Sequence, residues 1–226
     1  MGSILTLTNV ISAAFFGAPG RAGIDFNLEP GELALVNARD LGLVSALGDL
    51  CCGLQAIDTG TVRFLDQDWT MQPRDRADAL RGHIGRVLAR PAWLDFLSAA
   101  ENVLLGRLYH TRRASETLQT EAAELARHFG MPGLPTGPIS ALSPDDLTRA
   151  GLVRAFLGTP KLVILESPVQ GAFTAIIPAL LNRLAMLRDA GGAALWITRS
   201  RLVWENRTLP ASHRWRLDHT GLSRIG

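Results

Sequence analysis

Few residues in this 226-residue chain belong to types that do metal, thiol or lysine chemistry. The two cysteines, Cys51 and Cys52, are adjacent, and neighbours on one element rarely reach disulfide geometry, so both read as buried thiols. Five histidines, His83, His110, His128, His213 and His219, are scattered without the spacing of a ligand set, so no metal cluster is expected. Lys161 is the only lysine, and every other basic residue is an arginine. Trp93, Trp196, Trp204 and Trp215 read as core or edge packing rather than as a ligand box. Ser143-Pro144-Asp145-Asp146 makes a good helix start. It offers a serine cap, a proline in the first position and acids in the first turn, where they complement the helix dipole.

These residues must be carried by a core, and 47% hydrophobic content over this length is enough to bury one. Glycines and prolines are spread along the chain with no fixed period and no Gly/Ser linker, so one compact unit is expected rather than a tandem array. The net charge of +2 comes without a basic cluster, so a nucleic-acid partner is not suggested despite a pI near 8.9. No uncharged apolar run approaches the roughly 20 residues of a membrane span; Ala172 to Leu181 is short and broken by Pro178. Met1-Gly2-Ser3-Ile4 lacks a basic n-region and an apolar h-region, so a cytoplasmic location is expected.

Hydrophobic period separates the elements. Alternation at Leu5 to Thr8 and Gly23 to Leu28, and the apolar run Glu32 to Val36 after the turn Glu29-Pro30-Gly31, predict strands. A helix is expected from about Leu43 to Leu54. Strands follow at Val62 to Leu65, after the turn at Asp58 to Thr61, and at Ile84 to Leu88. Residues 92–149 are helical in period, with Glu116 to Phe129 the clearest amphipathic stretch. Beyond them come a helix at Pro144 to Leu157, a buried strand at Lys161 to Leu165, a helix at Ile177 to Ala190 and a strand at Ala193 to Thr198. Strands alternating with helices indicate an α/β fold with a mainly parallel sheet.

The landmarks then fall in a familiar order. They run Leu28-Glu29-Pro30-Gly31-Glu32, Gly53-Leu54, Asp58-Thr59-Gly60-Thr61-Val62, Ile84-Gly85-Arg86-Val87 and Glu101-Asn102-Val103. They continue with Leu142-Ser143, Arg149 to Leu157, Pro160 to Leu165 with Pro168, and Trp196-Ile197-Thr198. No one of these is specific, but in this order the chain resembles the ATP-binding subunits of ABC transporters over nearly its whole length. The resemblance implies a P-loop NTPase-like α/β fold with a mainly parallel sheet, an antiparallel β part and a helical insertion. One domain would then span 1–226, with core and β part at 1–91 and 158–226 and a helical subdomain at 92–157.

It also implies where the chemistry should be, and there the chain departs from the family. The phosphate loop, G-x-x-x-x-G-K-[ST], cradles phosphates on backbone N–H groups and a lysine. In this chain it falls on Ala38-Arg39-Asp40-Leu41-Gly42-Leu43-Val44-Ser45. Ala38, Leu41 and Leu43 stand at family glycines, Val44 stands at the lysine, and only Ser45, at the magnesium-ligand hydroxyl, is kept. Asp40 adds a carboxylate beside the phosphate position, where two like charges repel by roughly 1 to 4 kcal/mol. It reads as a turn residue, or as a device that excludes phosphate. The family's aspartate and catalytic glutamate fall on Glu166 and Ser167, and Ser167 has no carboxylate to act as a base. The glutamine position is Ala89, and the switch histidine is Arg199, read as a solvated loop residue or a salt-bridge donor to a partner. The signature loop becomes Leu142-Ser143-Pro144-Asp145-Asp146, which loses a backbone donor at Pro144 and gains two acids. Phe16 lies near the family's adenine-stacking aromatic, and reads otherwise as a half-buried residue.

The resemblance therefore implies a non-catalytic member of the family. It would dock on a membrane permease through the cleft beside Ala89 to Phe96, pair with a second ATPase-like subunit or with itself, and lie on the inner face of the membrane. Neither ATP, magnesium nor another cofactor is expected, and lipid-type transport systems are one setting for such a subunit. Two alternatives stay open: a subunit that still binds ATP in an altered pocket, and a free-standing adaptor or regulatory domain.

Overall fold

The computed structural model describes residues 2–13, 23–169 and 173–225. In chain order the elements are β1 (Leu5–Ile11), β2 (Ile24–Leu28), β3 (Leu33–Ala38), α1 (Leu41–Cys51), β4 (Thr59–Phe64), β5 (Gln67–Asp68), α2 (Arg74–Arg81) and β6 (Ile84–Val87). They continue as α3 (Ala99–His110), α4 (Ser115–His128), α5 (Pro144–Phe156), β7 (Leu162–Glu166), α6 (Phe173–Asp189), β8 (Ala193–Thr198), α7 (Arg201–Glu205), β9 (His213–Asp218) and β10 (Gly221–Ile225).

Two sheets result. One is antiparallel, in the order β2-β1-β4-β5; the other runs β10-β9-β3-β8-β7-β6 and is parallel except for its edge strand β10. In the parallel sheet β7 and β8 are buried at every residue, as expected of strands covered on both faces, which read as unbroken apolar runs rather than alternating ones. One apolar cluster joins the antiparallel sheet and α1 to one face of the parallel sheet, through Phe64, Val44, Leu47 and Ile164. A second joins the other face to α3, α4, α5 and α6, through Trp196, Val103, Leu118, Phe156 and Leu184. Free Cys51 and Cys52 are both buried in the first.

The helix expected from Leu43 begins two residues earlier and ends at Cys51. Gly53 (φ +62°) closes it, and a Cβ there would stand 2.5 Å from the Trp69 ring, so glycine is required twice over. Pro178, expected to lie near a helix start, sits inside α6. The region expected to be helical throughout, 92–149, holds three helices separated by non-helical segments. Among the described residues no helix is long and apolar enough to cross a membrane.

Candidate functional site

The strand-to-helix junction between β3 and α1 carries the residues assigned to the phosphate loop. Ala38 is the buried last residue of β3, and Leu41 already opens α1, so Arg39 and Asp40 alone form the connection. Asp40 is the helix N-cap: its Oδ1 accepts from the N–H of Gly42 at 2.6 Å and of Leu43 at 3.3 Å, while its carbonyl accepts from the N–H of Val44 at 3.2 Å. The first N–H groups of a helix are the donors that bind anions at such junctions. Here a side chain of the same loop already holds them. Leu43 and Val44 are 3% and 0% exposed, so the position expected of a phosphate-binding cation points into the apolar core.

Glu166 ends β7 with its side chain fully buried. One oxygen accepts from Arg86 Nε on β6 at 2.5 Å and the other from the N–H of Ala89 at 3.0 Å. Arg86 is divided among three groups, since Nη1 also donates to Asp49 at 2.7 Å and Nη2 to the Ser45 carbonyl at 3.3 Å. Burial pushes the Glu166 carboxyl up, and Arg86 and the Ala89 N–H pull it back toward the charged form. Burial works against charge on Arg86 as well, but Cys52, Glu166 and Asp49 more than offset it and raise the guanidinium above its ordinary value. The pair lies against the backbone of α1 at Gly48, where an added Cβ would stand 2.2 Å from Glu166 Oε1 and 2.6 Å from Arg86 Nη2. Gly48 is what lets this ion pair pass beneath the helix.

Ser167 follows in a left-handed conformation (φ +47°), its N–H donating to the Ile197 carbonyl at 2.8 Å and its buried hydroxyl without a partner among the described residues. Arg199 is exposed, and its Nε donates to the Arg39 carbonyl at 3.1 Å, which ties the end of β8 to the end of β3. Ser143 caps α5, accepting from the Asp146 N–H at 3.1 Å, with Pro144 in the first turn. The helix start expected from the sequence is therefore present. Gly85 sets the approach of α5 to β6, since a Cβ there would stand 1.8 Å from the Ala155 carbonyl oxygen.

The structure thus gathers Ala38 to Ser45, Ala89, Glu166 and Arg199 around the C-terminal ends of β3, β7 and β8. Pro144 joins Ala89 and Ser167 in lining an apolar cavity of about 250 Å³ between α5 and the sheet; Leu142, Ser143, Asp145 and Asp146 do not. Phe16 lies outside the described residues. Of the expected tryptophans, Trp196 is 1% exposed in the core, Trp215 packs edge-on against Phe26, and Trp93 and Trp204 each carry an arginine over the ring. Among the described residues no group of three or more His, Cys, Asp or Glu is placed to hold a metal ion. Asp49 and Gly48 are absent from the sequence reading, and Arg86 enters it only as part of a landmark, with no role assigned. The available signal was a lone charge inside the short apolar strand Ile84-Gly85-Arg86-Val87.

Comparison with known proteins matches the architecture. The family model for ABC transporters covers residues 44–170, more than half of the chain. A cytochrome c biogenesis ATP-binding export protein of Nitrosomonas europaea is 26% identical over 83% of this chain and 85% of its own length. A galactofuranose transporter ATP-binding protein of Escherichia coli is 25% identical over 84% of this chain, which spans 38% of that longer protein. Among solved structures, an ATP-binding subunit of an ABC transporter superposes with TM-score 0.80 at 18% identity, covering 99% of this chain and 90% of that one. A dimeric ATP-binding cassette bound to ADP and phosphate superposes with TM-score 0.80 at 16% identity, covering 98% and 99%. The chain shares the fold of these cassettes, and with more than half of its length matched by the family model it belongs to the ABC transporter ATP-binding domain family.

Proposed function

We propose that this chain is a non-catalytic subunit of an ABC transporter, which docks on a membrane permease, pairs with a second ATPase-like subunit and contributes structure or regulation rather than hydrolysis. The observation that carries this reading is Asp40 as the cap of α1, because the N–H donors that would receive a phosphate are engaged by a carboxylate of the same loop. A triphosphate would have to displace that carboxylate and then sit beside it, with Val44 buried in the core and the chain's one lysine, Lys161, at the opposite end of β7. Glu166 is committed to Arg86 and Ala89, and Ser167 offers no base to the attacking water. Each missing catalytic element typically costs several kcal/mol of barrier, roughly 2.7 to 4 for one oxyanion-type donor, so their joint loss leaves no useful turnover.

Docking on a permease is supported by an apolar surface. Leu105, Leu108 and Tyr109 are 45%, 43% and 73% exposed on one face of α3, and Phe96 is 82% exposed on the loop before it. Large apolar side chains gathered at i, i+3 and i+4 on a water-facing helix mark interaction surfaces. Such docking would hold the protein on the inner face of the membrane.

The test combines a phosphate-release assay on the purified chain with affinity purification from native membranes. The expected result is release no faster than buffer with magnesium and ATP, together with recovery of an integral membrane subunit. Turnover of the chain alone at about 1 s⁻¹, within the ordinary range of enzymes, would overturn the non-catalytic reading. Recovery without any integral subunit would favour an adaptor.

A further inference from the structure

Three groups in the walls of the cavity between α5 and the sheet lack a counter-charge or an acceptor. Arg154 is the only charged residue that lines it among the described residues, and among them it makes no ion pair. Its Nη1 donates to the Ala92 carbonyl at 3.3 Å, and the guanidinium lies 4.3 Å from the centroid of the Trp93 ring. Burial pushes this guanidinium below its ordinary value, and no opposite charge offsets the effect. Trp93 Nε1 and the Ser167 hydroxyl, both buried, are also without a partner among the described residues. Gly151 keeps the space open. It is buried in the middle of α5, where glycine is less favourable than alanine. A Cβ there would meet only Trp93 Cζ2, at 3.9 Å, which is an ordinary contact, so packing does not require the glycine.

A half-buried cation and buried donors without acceptors are costly until something pairs with them. The partner must bring negative charge on an apolar body, because the rest of the wall includes Val87, Leu147 and Pro168 and holds no carboxylate. We propose that this cavity binds a small aromatic carboxylate, its ring among the apolar walls beside Trp93 and Gly151 and its carboxylate paired with Arg154. Arg154 Nε and Nη2 make no hydrogen bond among the described residues, and a planar guanidinium grips two carboxylate oxygens at once. An apolar cavity of about 150 Å³ holds benzene, so one of about 250 Å³ admits a two-ring acid. None of residues 38–45 lines the cavity, and neither Phe96 nor the exposed apolar residues of α3 do so. The site is therefore distinct from the phosphate loop and from the apolar docking face, and its occupancy does not depend on whether the chain binds ATP.

Calorimetric titration of the full chain with 1-naphthoate, beside neutral 1-naphthamide, tests this. Saturable binding of the acid is expected below about 1 mM, with the amide about tenfold weaker or more, because it brings no charge to Arg154. Arg154→Gln should bring the acid down to the affinity of the amide. Gly151→Leu places a side chain in the cavity and should abolish binding of both. Thermal melts establish that the variants fold. If Arg154→Gln does not, Gly151→Leu decides alone; if Gly151→Leu does not, Gly151→Ala replaces it, with about threefold or greater weakening of both probes expected. No saturable heat from 1-naphthoate up to about 1 mM, equal affinity for acid and amide, or unchanged affinity in a folded variant would each overturn the proposal.

Discussion

Asp40 both starts α1 and occupies the donors that the fold reserves for phosphate, so the two roles can be separated by substitution. Asp40→Ala should lower stability by about 1 kcal/mol, the usual loss of a good cap, whereas Asp40→Gly should cost only a few tenths. Denaturant melts of both variants check this, and equal losses would mean that the carboxylate is not capping. Ser167 carries strain in its left-handed backbone and a buried hydroxyl without a partner among the described residues. Ser167→Gly relieves both and should stabilise the fold by about 1 kcal/mol, or about 2 to 4 °C in Tm. An unchanged or lower Tm would show that the surroundings hold this turn at no cost. Arg86→Met strands the fully buried Glu166 carboxylate and should cost about 3 kcal/mol in a urea melt, and a loss below 1 would mean that the pair is solvated. The sequence placed Ala38 to Ser45, Ala89, Glu166 and Arg199 as one site, and the structure brings them together at the C-terminal ends of β3, β7 and β8. What holds them was not legible, because the contacts of Arg86 with Asp49 and Glu166 join residues 37 and 80 positions apart and leave no local pattern.

At the scale of elements, the buried strands declared themselves. β7 and β8 are apolar runs between turn signals; the expected span of β8 matches the observed one, and that of β7 is offset by one residue at each end. The start of α1 was less legible. The family pattern assigns Ala38 to Ser45 to a loop, but Asp40 followed by Gly42 and Leu43 is also a capping sequence, and local capping prevailed over the inherited loop. The hairpin of β9 and β10 gave no signal in the reading. Its residues alternate weakly, with charged side chains at Arg214, Arg216 and Arg224, and only Leu217 of the pair is buried. Such an edge is held by pairing with β3 rather than by its own pattern. One surface prediction belongs here. Phe96→Asp combined with Leu105→Asp should abolish recovery of a membrane subunit while changing stability by no more than about 0.5 kcal/mol per site. Undiminished recovery would place the permease contact elsewhere.

Taken whole, the molecule keeps the scaffold of its family. Two apolar clusters, one on each face of the parallel sheet, hold the strand ends in register. At the ends of the parallel strands Asp40 caps α1, Glu166 pairs with Arg86, and Val44 lies in the core. A fold can be retained without the chemistry it usually carries, because packing depends on burial and volume whereas catalysis depends on a few donors and charges in fixed positions. The account is tested most directly by calorimetric titration of the full chain with ATP and magnesium, beside the Asp40→Gly variant. It predicts no saturable heat from the unsubstituted chain up to roughly 1 mM ATP. Saturable, magnesium-dependent binding at micromolar ATP, lost when the phosphate loop is altered, would contradict it.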